Sequence, residues 1–579
     1  MKAPALAKNT IPELLTQAGS TYGSRPALRA LDVHNGRQCT FAELLEDVKH
    51  IALGLVSLGL EPGQHVAVLG KNSPEWARAY LSVSMAGGVN VPVDSLLSEN
   101  EIRQLLAGAE VRMAFADPRF LDVFLDSPRG FPVPERLISL DHSAKSSSDK
   151  GGGGLPKVLT LDDLRGLGRA LKDRQLPEVE SSHLAAVIFT SGTTGSPKGV
   201  MLTHSNIVSD VIACERAITG FLSIGEERFL SVLPMNHTFE CTAGFLLPMY
   251  TGCCITFARS LRSRYLMEDI RSSGTTIMFG VPLLYQKMVE GIYRAVDRAP
   301  AVRRHAFRTM MNMVKLAERM GNDNLGFHLF KGLREKAGLG SLKFFISGGA
   351  ALPLFVAKEL NRLGLKILQG YGLTEASPVL TINPMDAPRN ETIGKPLPGV
   401  QVKVADPDPD GVGELCFKGP MIMKGYYKDD EATSAVLTDG WLATGDLGFV
   451  DREGYVHICG RSKNLIVTAA GKNVYPEEVE TELNRQPFIL ESMVYGKLRP
   501  GTSGEDVCAV IVPDYEVIGE YFPDRLLSDH EVEELVASEV KKANRVIAAY
   551  KRVKHFKIFN EELPKTSTRK IKRHLINAS

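Results

Sequence analysis

The chain has 579 residues, room for three or four structural units at typical domain sizes of about 100–200 residues. Apolar residues make up 44% and charged residues 23%, with a formal net charge of +1, which fits a globular chain with a large core and excludes a disordered one. The near-neutral balance also argues against nucleic acid as the main partner, and eight scattered cysteines with no C-x-x-C pair read as reduced and mostly buried.

In chain order, residues 1–15 carry Lys2 and Lys8 but no continuous apolar run, so neither a signal peptide nor a membrane anchor is expected and the default compartment is the cytoplasm. Up to about residue 140, helical stripes alternate with short apolar runs: a helix over 41–58, a strand over 65–69, a helix over 74–86 and a strand over 89–93. Such alternation predicts βαβ units and a mostly parallel sheet. The stretch 143–155 (SAKSSSDKGGGGL) is too poor in apolar residues to order itself and reads as a mobile surface loop.

A buried strand over 184–189 leads into TSGTTGSPKG and a second short run over 199–202. The glycines (Gly192, Gly195) permit tight turns that bring backbone N–H groups near an anion. The hydroxyls of Thr190, Ser191, Thr193 and Thr194 can donate to phosphate oxygens, and Lys198 supplies a point charge. A Walker A loop is excluded, because Lys198 is followed by glycine and its spacing from Gly195 is wrong. The competing account is a plain hairpin turn with a surface lysine.

Ser205 is placed to cap a helix running to residue 218, and LPMNHTFE follows at 233–240. The apolar stretch 241–258 is broken by Thr242, Gly244, Pro248, Thr251 and Gly252, which favours a buried helix and strand over a membrane span. Residues 299–336 are basic and helical in pattern. FISGGA (345–350) ends one apolar strand and QGYGLTE (369–375) ends another over 366–368. Three glycine-rich strand-end loops predict a cleft at the C-terminal edge of a parallel sheet, where ligands usually bind.

From about 394 to 460 the pattern changes to short strands with Gly, Pro and Asp turns, which predicts a small β-rich subdomain. A new unit then begins, with a helix from about 476, strands over 492–495 and 507–512, and an amphipathic helix over 530–546 whose Val532, Leu535, Val536 and Val540 share a face. Residues 541–579 hold twelve Lys/Arg against two acids. This basic segment is read as a solvated face, with anionic substrates or a phospholipid surface as the alternatives. The fold class is therefore α/β: a large domain of parallel-sheet subdomains over 1–462, including the β-rich part, and a small α+β domain over 463–579.

The ordered series TSGTTGSPKG, LPMNHTFE, QGYGLTE, GWLATGDLG, GRSKNLI and PKTSTRKIKR, between residues 190 and 573, resembles the adenylate-forming (AMP-binding) family, its long-chain fatty acyl-CoA synthetases in particular. The resemblance implies that ATP with Mg2+ activates a carboxylate to an acyl-adenylate, whose acyl group passes to the thiol of coenzyme A with release of AMP. It implies that Thr190, Ser191, Gly192, Thr193, Thr194, Gly195 and Lys198 hold the β- and γ-phosphates. Gly348, Gly349 and Ala350 would line the adenine and acyl pocket, with Gln369 in the same nucleotide site and Tyr371 stacked on adenine. Thr374 would contact the α-phosphate, Glu375 would ligate magnesium, and Asp446 with Arg461 would take the ribose hydroxyls.

On the same basis His237 would gate the acyl site, a satisfied core histidine being the alternative, and Phe239 would begin the acyl tunnel. Lys570 matches the lysine that bridges carboxylate and α-phosphate, although Arg569 stands where the family has glycine. Lys463 takes the hinge position of a small domain that is mobile in the family, and Gly471 and Lys472 belong to the loop it presents to the pantetheine arm. No aspartate stands in Asn236-His237-Thr238-Phe239-Glu240 to hold an amino group, and a long helical stretch lies between 282 and 347, so a fatty acid is expected, long-chain favoured. Transfer to a carrier-protein thiol, a luciferase-like oxygenase and a non-catalytic nucleotide sensor are the rival readings.

Overall fold

The computed structural model describes every residue except 1, 2, 4, 32–36, 126–133, 142–157, 191–196, 500–503, 524, 566–570 and 577–579. The polar stretch 143–155, Arg569 and Lys570 lie outside the described residues. The chain divides into two units, Met1–Gln401 with Lys418–Leu442, and Val402–Phe417 with Ala443–Ser579.

The larger unit holds two sheets. One has eight strands, in spatial order Gly425–Tyr426, Lys198–Thr203, Leu184–Thr190, Val89–Val93, His65–Leu69, Met113–Ala116, Arg136–Ser139 and Val158–Thr160. Its strands from Leu184–Thr190 onward pair in parallel. The other has nine strands, parallel from Pro26–Ala30 through Cys254–Phe257, Arg228–Ser231, Ile277–Gly280 and Phe344–Ser347 to Lys366–Gly372, with antiparallel strands at both edges. The predicted helices over 41–58 and 74–86 form as Phe41–Ser57 and Pro74–Met85. Thr40 and Glu43 close the first with a capping box, satisfying donors that a helix start leaves unpaired. Helix Phe41–Ser57 lies against Leu161–Ala170 so closely that a Cβ on Gly168 would stand 1.8 Å from the His50 carbonyl oxygen. Only glycine fits there.

Two expectations are corrected. The helix after the glycine-rich loop is His204–Ile218 and its cap is Thr203, not Ser205: the Thr203 hydroxyl accepts from the Asn206 N–H at 3.1 Å. Thr203 ends a strand in extended backbone, which is the conformation a cap needs. Nor do the three glycine-rich loops share one parallel edge. Those at 345–350 and 369–375 follow neighbouring parallel strands of the nine-stranded sheet, whereas 190–199 joins two antiparallel strands of the other sheet.

The stretch 241–258 is a buried π-helical turn, Glu240–Leu246, then Leu247–Tyr250 and the strand Cys254–Phe257. Among the described residues no helix is long and apolar enough to cross a membrane.

Wholly or mostly within the smaller unit, Gln401–Ala405, Gly413–Lys418, Trp441–Val450 and Val456–Arg461 are strands of one sheet. Farther on, Ile489–Leu498, Glu505–Pro513 and His555–Ile558 form a three-stranded sheet. Helices Pro476–Leu483 and Asp529–Val546 bury Val479, Leu483, Val532, Val536 and Val540 in a core with Val494, Val507 and Ile511 of that sheet. Much of the basic C-terminal charge is paired within the unit: Lys542 with Glu539, Lys551 with Glu478, Lys554 with Asp506, Lys565 with Glu491 and Arg573 with Glu480. All eight cysteines are free thiols, buried except for the half-buried Cys254 and Cys459.

Candidate active site

The described ends of the glycine-rich loop stand opposite one another, Thr190 paired with Lys198 in the antiparallel hairpin. Ser191, Gly192, Thr193, Thr194 and Gly195 lie outside the described residues. Strand Lys198–Thr203 also pairs with Gly425–Tyr426, and the Lys198 ammonium nitrogen lies 5.0 Å from the centre of the Tyr426 ring, a cation–π distance. The Tyr426 hydroxyl donates to Glu375 Oε1 at 2.9 Å. Burial and the facing carboxylate both raise the phenol above its ordinary range, so it stays protonated and keeps its donor.

One residue thus ties the hairpin of one sheet to the acidic turn that follows a strand of the other. The segment around Tyr426 is braced on several sides. Met423 N–H donates to the Glu375 carbonyl at 2.8 Å, the Asn206 amide donates to the Pro420 and Ile422 carbonyls at 2.8 Å each, and the Ser377 hydroxyl donates to the Met421 carbonyl at 2.9 Å. The sequence reading passed over Tyr426. The signal available was Gly425-Tyr426 within the β-rich stretch, but composition does not say which neighbour a tyrosine meets.

Glu375 and Thr374 lie in a short 3-10 turn, Thr374–Ala376. The strand before it runs to Gly372, farther than the predicted 366–368, because Gly370–Gly372 turn to pair antiparallel with Val379–Ile382, placing Tyr371 opposite Thr381. A Cβ on Gly372 would stand 1.7 Å from the Pro378 carbonyl oxygen, so this crossing demands glycine. After the turn Ser377 takes a left-handed φ of 69°, and its carbonyl accepts from the Thr242 hydroxyl at 2.7 Å. Behind it the buried Asp210 accepts from the Val379 N–H at 3.1 Å, and desolvation holds its carboxyl well above the usual range.

Gly348, Gly349 and Ala350 follow the strand Phe344–Ser347. Gly349 has φ of 83°, and a Cβ on Gly348 would meet the Phe239 ring at 2.9 Å. Phe239 in turn packs edge-on against Phe279 at 5.6 Å. Gln369 is buried and accepts the Leu352 N–H at 3.1 Å through its side-chain oxygen, so it holds the glycine loop against the next strand. His237 is half-buried, with Nε2 4.0 Å from Asp94 Oδ2. Asp94 directly follows the strand Val89–Val93, a strand-end acid that the sequence reading did not single out.

Glu240 is 1% exposed at the start of the π-helical turn. Its carboxyl faces Ser231 and Leu233 but makes no well-formed hydrogen bond, and burial pushes it up to about 8. Gly244 leaves it room: a Cβ there would meet the carboxyl at 2.6 Å.

In the smaller unit Asp446 and Arg461 are cross-strand partners, and Arg461 Nε donates to Asp446 Oδ1 at 2.9 Å. Asp446 is 4% exposed while the arginine side chain is about half exposed, so the carboxylate is desolvated and its partner reaches outward. Lys463 sits in the 3-10 turn Ser462–Asn464. Gly471, with φ of 69°, and the exposed Lys472 shape the tight connection between Ile466–Val467 and Asn473–Val474.

Comparison with known proteins gives a consistent result. The profile of the AMP-binding enzyme family matches residues 15–427, and that of the AMP-binding enzyme C-terminal domain matches residues 478–570. The chain is similar to the long-chain-fatty-acid-CoA ligase FadD15 of Mycobacterium bovis, at 28% identity over 93% of this chain and 90% of that protein. It is also similar to the long-chain-fatty-acid-CoA ligase heimdall of Drosophila melanogaster, at 30% identity over 85% of this chain and 75% of that one. Among solved structures, o-succinylbenzoate coenzyme A synthetase (MenE) from Bacillus subtilis in complex with ATP and magnesium ion superposes with a TM-score of 0.71. That match covers 99% of both chains at 21% identity.

Proposed function

The chain belongs to the AMP-binding enzyme family, and we propose that it is an AMP-forming acid-thiol ligase that activates a fatty, long-chain carboxylic acid and delivers it to coenzyme A. The observation that carries this reading is the Lys198–Tyr426–Glu375 contact, which sets the phosphate-loop lysine and a carboxylate on either side of one phenol. The long-chain ligases among its relatives support the substrate class.

A carboxylate is a poor electrophile and a modest nucleophile. Its attack on the α-phosphate of ATP therefore depends on alignment and on stabilising charge in the phosphorane-like transition state. In this proposal the 190–198 hairpin holds the β- and γ-phosphates and Lys198 neutralises them. Thr374 orients the α-phosphate, Tyr371 packs on adenine, Gly348, Gly349 and Ala350 leave room for the nucleotide and acyl group, and Gln369 holds that loop in place. Asp446, positioned by Arg461, accepts the ribose hydroxyls. His237 and Phe239 form the entrance for the acyl chain, and Lys570 bridges carboxylate and α-phosphate.

The residues fit magnesium. Among the described residues no cluster of three His, Cys, Asp or Glu could hold a metal alone, and one carboxylate with phosphate oxygens and waters is the usual way this hard cation is held. Glu375 is that carboxylate, fixed by the Tyr426 hydroxyl on Oε1. When bound, the metal supplies charge neutralisation on the phosphates.

In the second step the acyl-adenylate carbonyl is attacked by the thiol and AMP leaves; Gly471 and Lys472 are proposed to face the pantetheine arm, and Lys463 to be the hinge. Contact of the basic C-terminal segment with a membrane surface would draw on the bases not already paired there.

The test is a panel of carboxylic acids of graded length, assayed for AMP release with coenzyme A, and separately for light or oxygen uptake. AMP release that needs both a long-chain acid and coenzyme A is the expected result. Release with a carrier protein in place of coenzyme A, oxygen uptake, or nucleotide binding without pyrophosphate release would overturn it in favour of a carrier ligase, an oxygenase or a sensor.

A further inference from the structure

Helix Ala301–Arg319 carries two apolar stripes where a surface helix needs one. The inner stripe, Phe307, Met311 and Val314, is buried, with Phe307 packed on Tyr293 at 5.6 Å and Phe330 at 5.3 Å. The outer one runs Val302, Ala306, Thr309, Met313, Leu316 and Met320, at intervals of four, three, four, three and four, which keeps one line along the opposite side of a helix turning about 100° per residue.

These side chains stand in solvent: Val302 is 81% exposed, Met313 49%, Leu316 58% and Met320 79%. The helix holds five Lys/Arg against one acid, Glu318. By the same spacing Arg303 lies to one side of the outer stripe and Arg308 and Arg319 to the other, all three exposed, Arg308 reaching Asp297 only at 3.7 Å. Glu318 faces inward and pairs with Arg362 at 2.6 Å.

An apolar line bordered by arginines on both sides is the chemistry of a helix lying in the headgroup boundary of an anionic bilayer. We propose that this helix is the surface on which the protein docks to anionic phospholipid. The outer side chains enter the acyl boundary and the arginines meet the phosphates. A second copy of the chain is a poorer occupant. Two-fold pairing of the stripe would bring the arginine borders of both copies together, and the helix's own acid, Glu318, faces inward and does not offset them, while of the three border arginines Asp297 reaches only Arg308.

The experiment uses the full chain without ATP or fatty acid, so its outcome is independent of the ligase reading. Protein is floated with vesicles of phosphatidylcholine alone and of phosphatidylcholine with about one third phosphatidylglycerol, at rising salt. The wild type is expected to float with the anionic vesicles only, less so as salt rises. The variant carrying Met313→Gln, Leu316→Gln and Met320→Gln, all at exposed positions, should melt at the wild-type temperature yet lose about 10–100-fold in partitioning. Replacing Arg303, Arg308 and Arg319 with serine should remove most of the salt dependence.

Failure of the wild type to float overturns the proposal. Equal flotation of the triple-glutamine variant also overturns it and moves the contact elsewhere, the basic C-terminal segment first. A wild-type dimer in sedimentation that the triple-glutamine variant abolishes, with no flotation, makes the occupant a second copy.

Discussion

Tyr426 can be tested without disturbing its ring. In Tyr426→Phe the face over which Lys198 sits remains, and only the donor to Glu375 is lost. A hydrogen bond to a charged group contributes about 1.5–3 kcal/mol, so the magnesium dependence of activity should shift upward about 10–100-fold. The melting temperature should hardly move. A magnesium titration of initial rates decides, and an unchanged midpoint would assign the phenol to packing alone.

Glu240 makes a prediction in pH. Burial holds its carboxyl at about 8, against an ordinary 4.5, so the folded chain keeps a proton that the unfolded chain releases near 4.5. The contribution to stability is therefore whole below about 4.5 and is lost as pH rises through about 8. Glutamine is neutral at every pH. Thermal unfolding of Glu240→Gln between these limits should fall less steeply with pH than the wild type, by at most about 1.4 kcal/mol per pH unit. Parallel profiles would show that the carboxylate is ionised in the folded state.

At the scale of elements, the cap of His204–Ile218 separates two neighbouring hydroxyls. Thr203→Ala should destabilise the protein by about 1 kcal/mol, since its oxygen serves the Asn206 N–H, whereas Ser205→Ala, inside the first turn, should change little. Chemical denaturation of the two variants side by side measures the difference.

The misplacement of this cap shows where the sequence stops being legible. Strands His65–Leu69 and Val89–Val93 and helix Phe41–Ser57 were readable because local signals set them, a short apolar run for each buried strand and a helical stripe for the helix. The helix start was not, because Thr203 serves both a strand end and a cap, and strand pairing sets that cap two residues before Ser205. The strand Lys366–Gly372 ran past its predicted end for a similar reason: its last residues gain a partner, Val379–Ile382, that appears later in the chain.

At the scale of the whole molecule, the motifs pointed to phosphate chemistry, yet a resemblance was needed to give each residue its role. Braces such as Tyr426, Asp94 and Asp210 stayed hidden, since each meets its partner only through tertiary packing. The proposed reaction has two steps, and two lysines with different proposed roles allow them to be separated by mutation. Lys570→Ala should lower adenylation about 10²–10³-fold, the magnitude of losing one preorganised electrostatic contact, while synthetic acyl-adenylate and coenzyme A still give thioester at near the wild-type rate. Lys463→Pro should do the reverse, because proline fixes φ at the proposed hinge; pyrophosphate would be released while thioester formation stalls. Equal loss of both steps in the Lys570 variant would leave Lys570 as a general binding or folding residue.

The free cysteines carry a consequence for fidelity. A thiolate, not a thiol, attacks an activated acyl group, and burial raises all eight thiols, Cys254 and Cys459, the two half-buried ones, to about 11. Near neutral pH almost none of them is ionised. On the proposed chemistry, the enzyme therefore holds a reactive mixed anhydride without offering it an ionised cysteine, and self-acylation at cysteine does not compete with the intended acceptor. Iodoacetamide should accordingly modify the native protein slowly at neutral pH and leave turnover intact, and a rapidly alkylated cysteine would show that the chain does carry a thiol able to intercept its own intermediate.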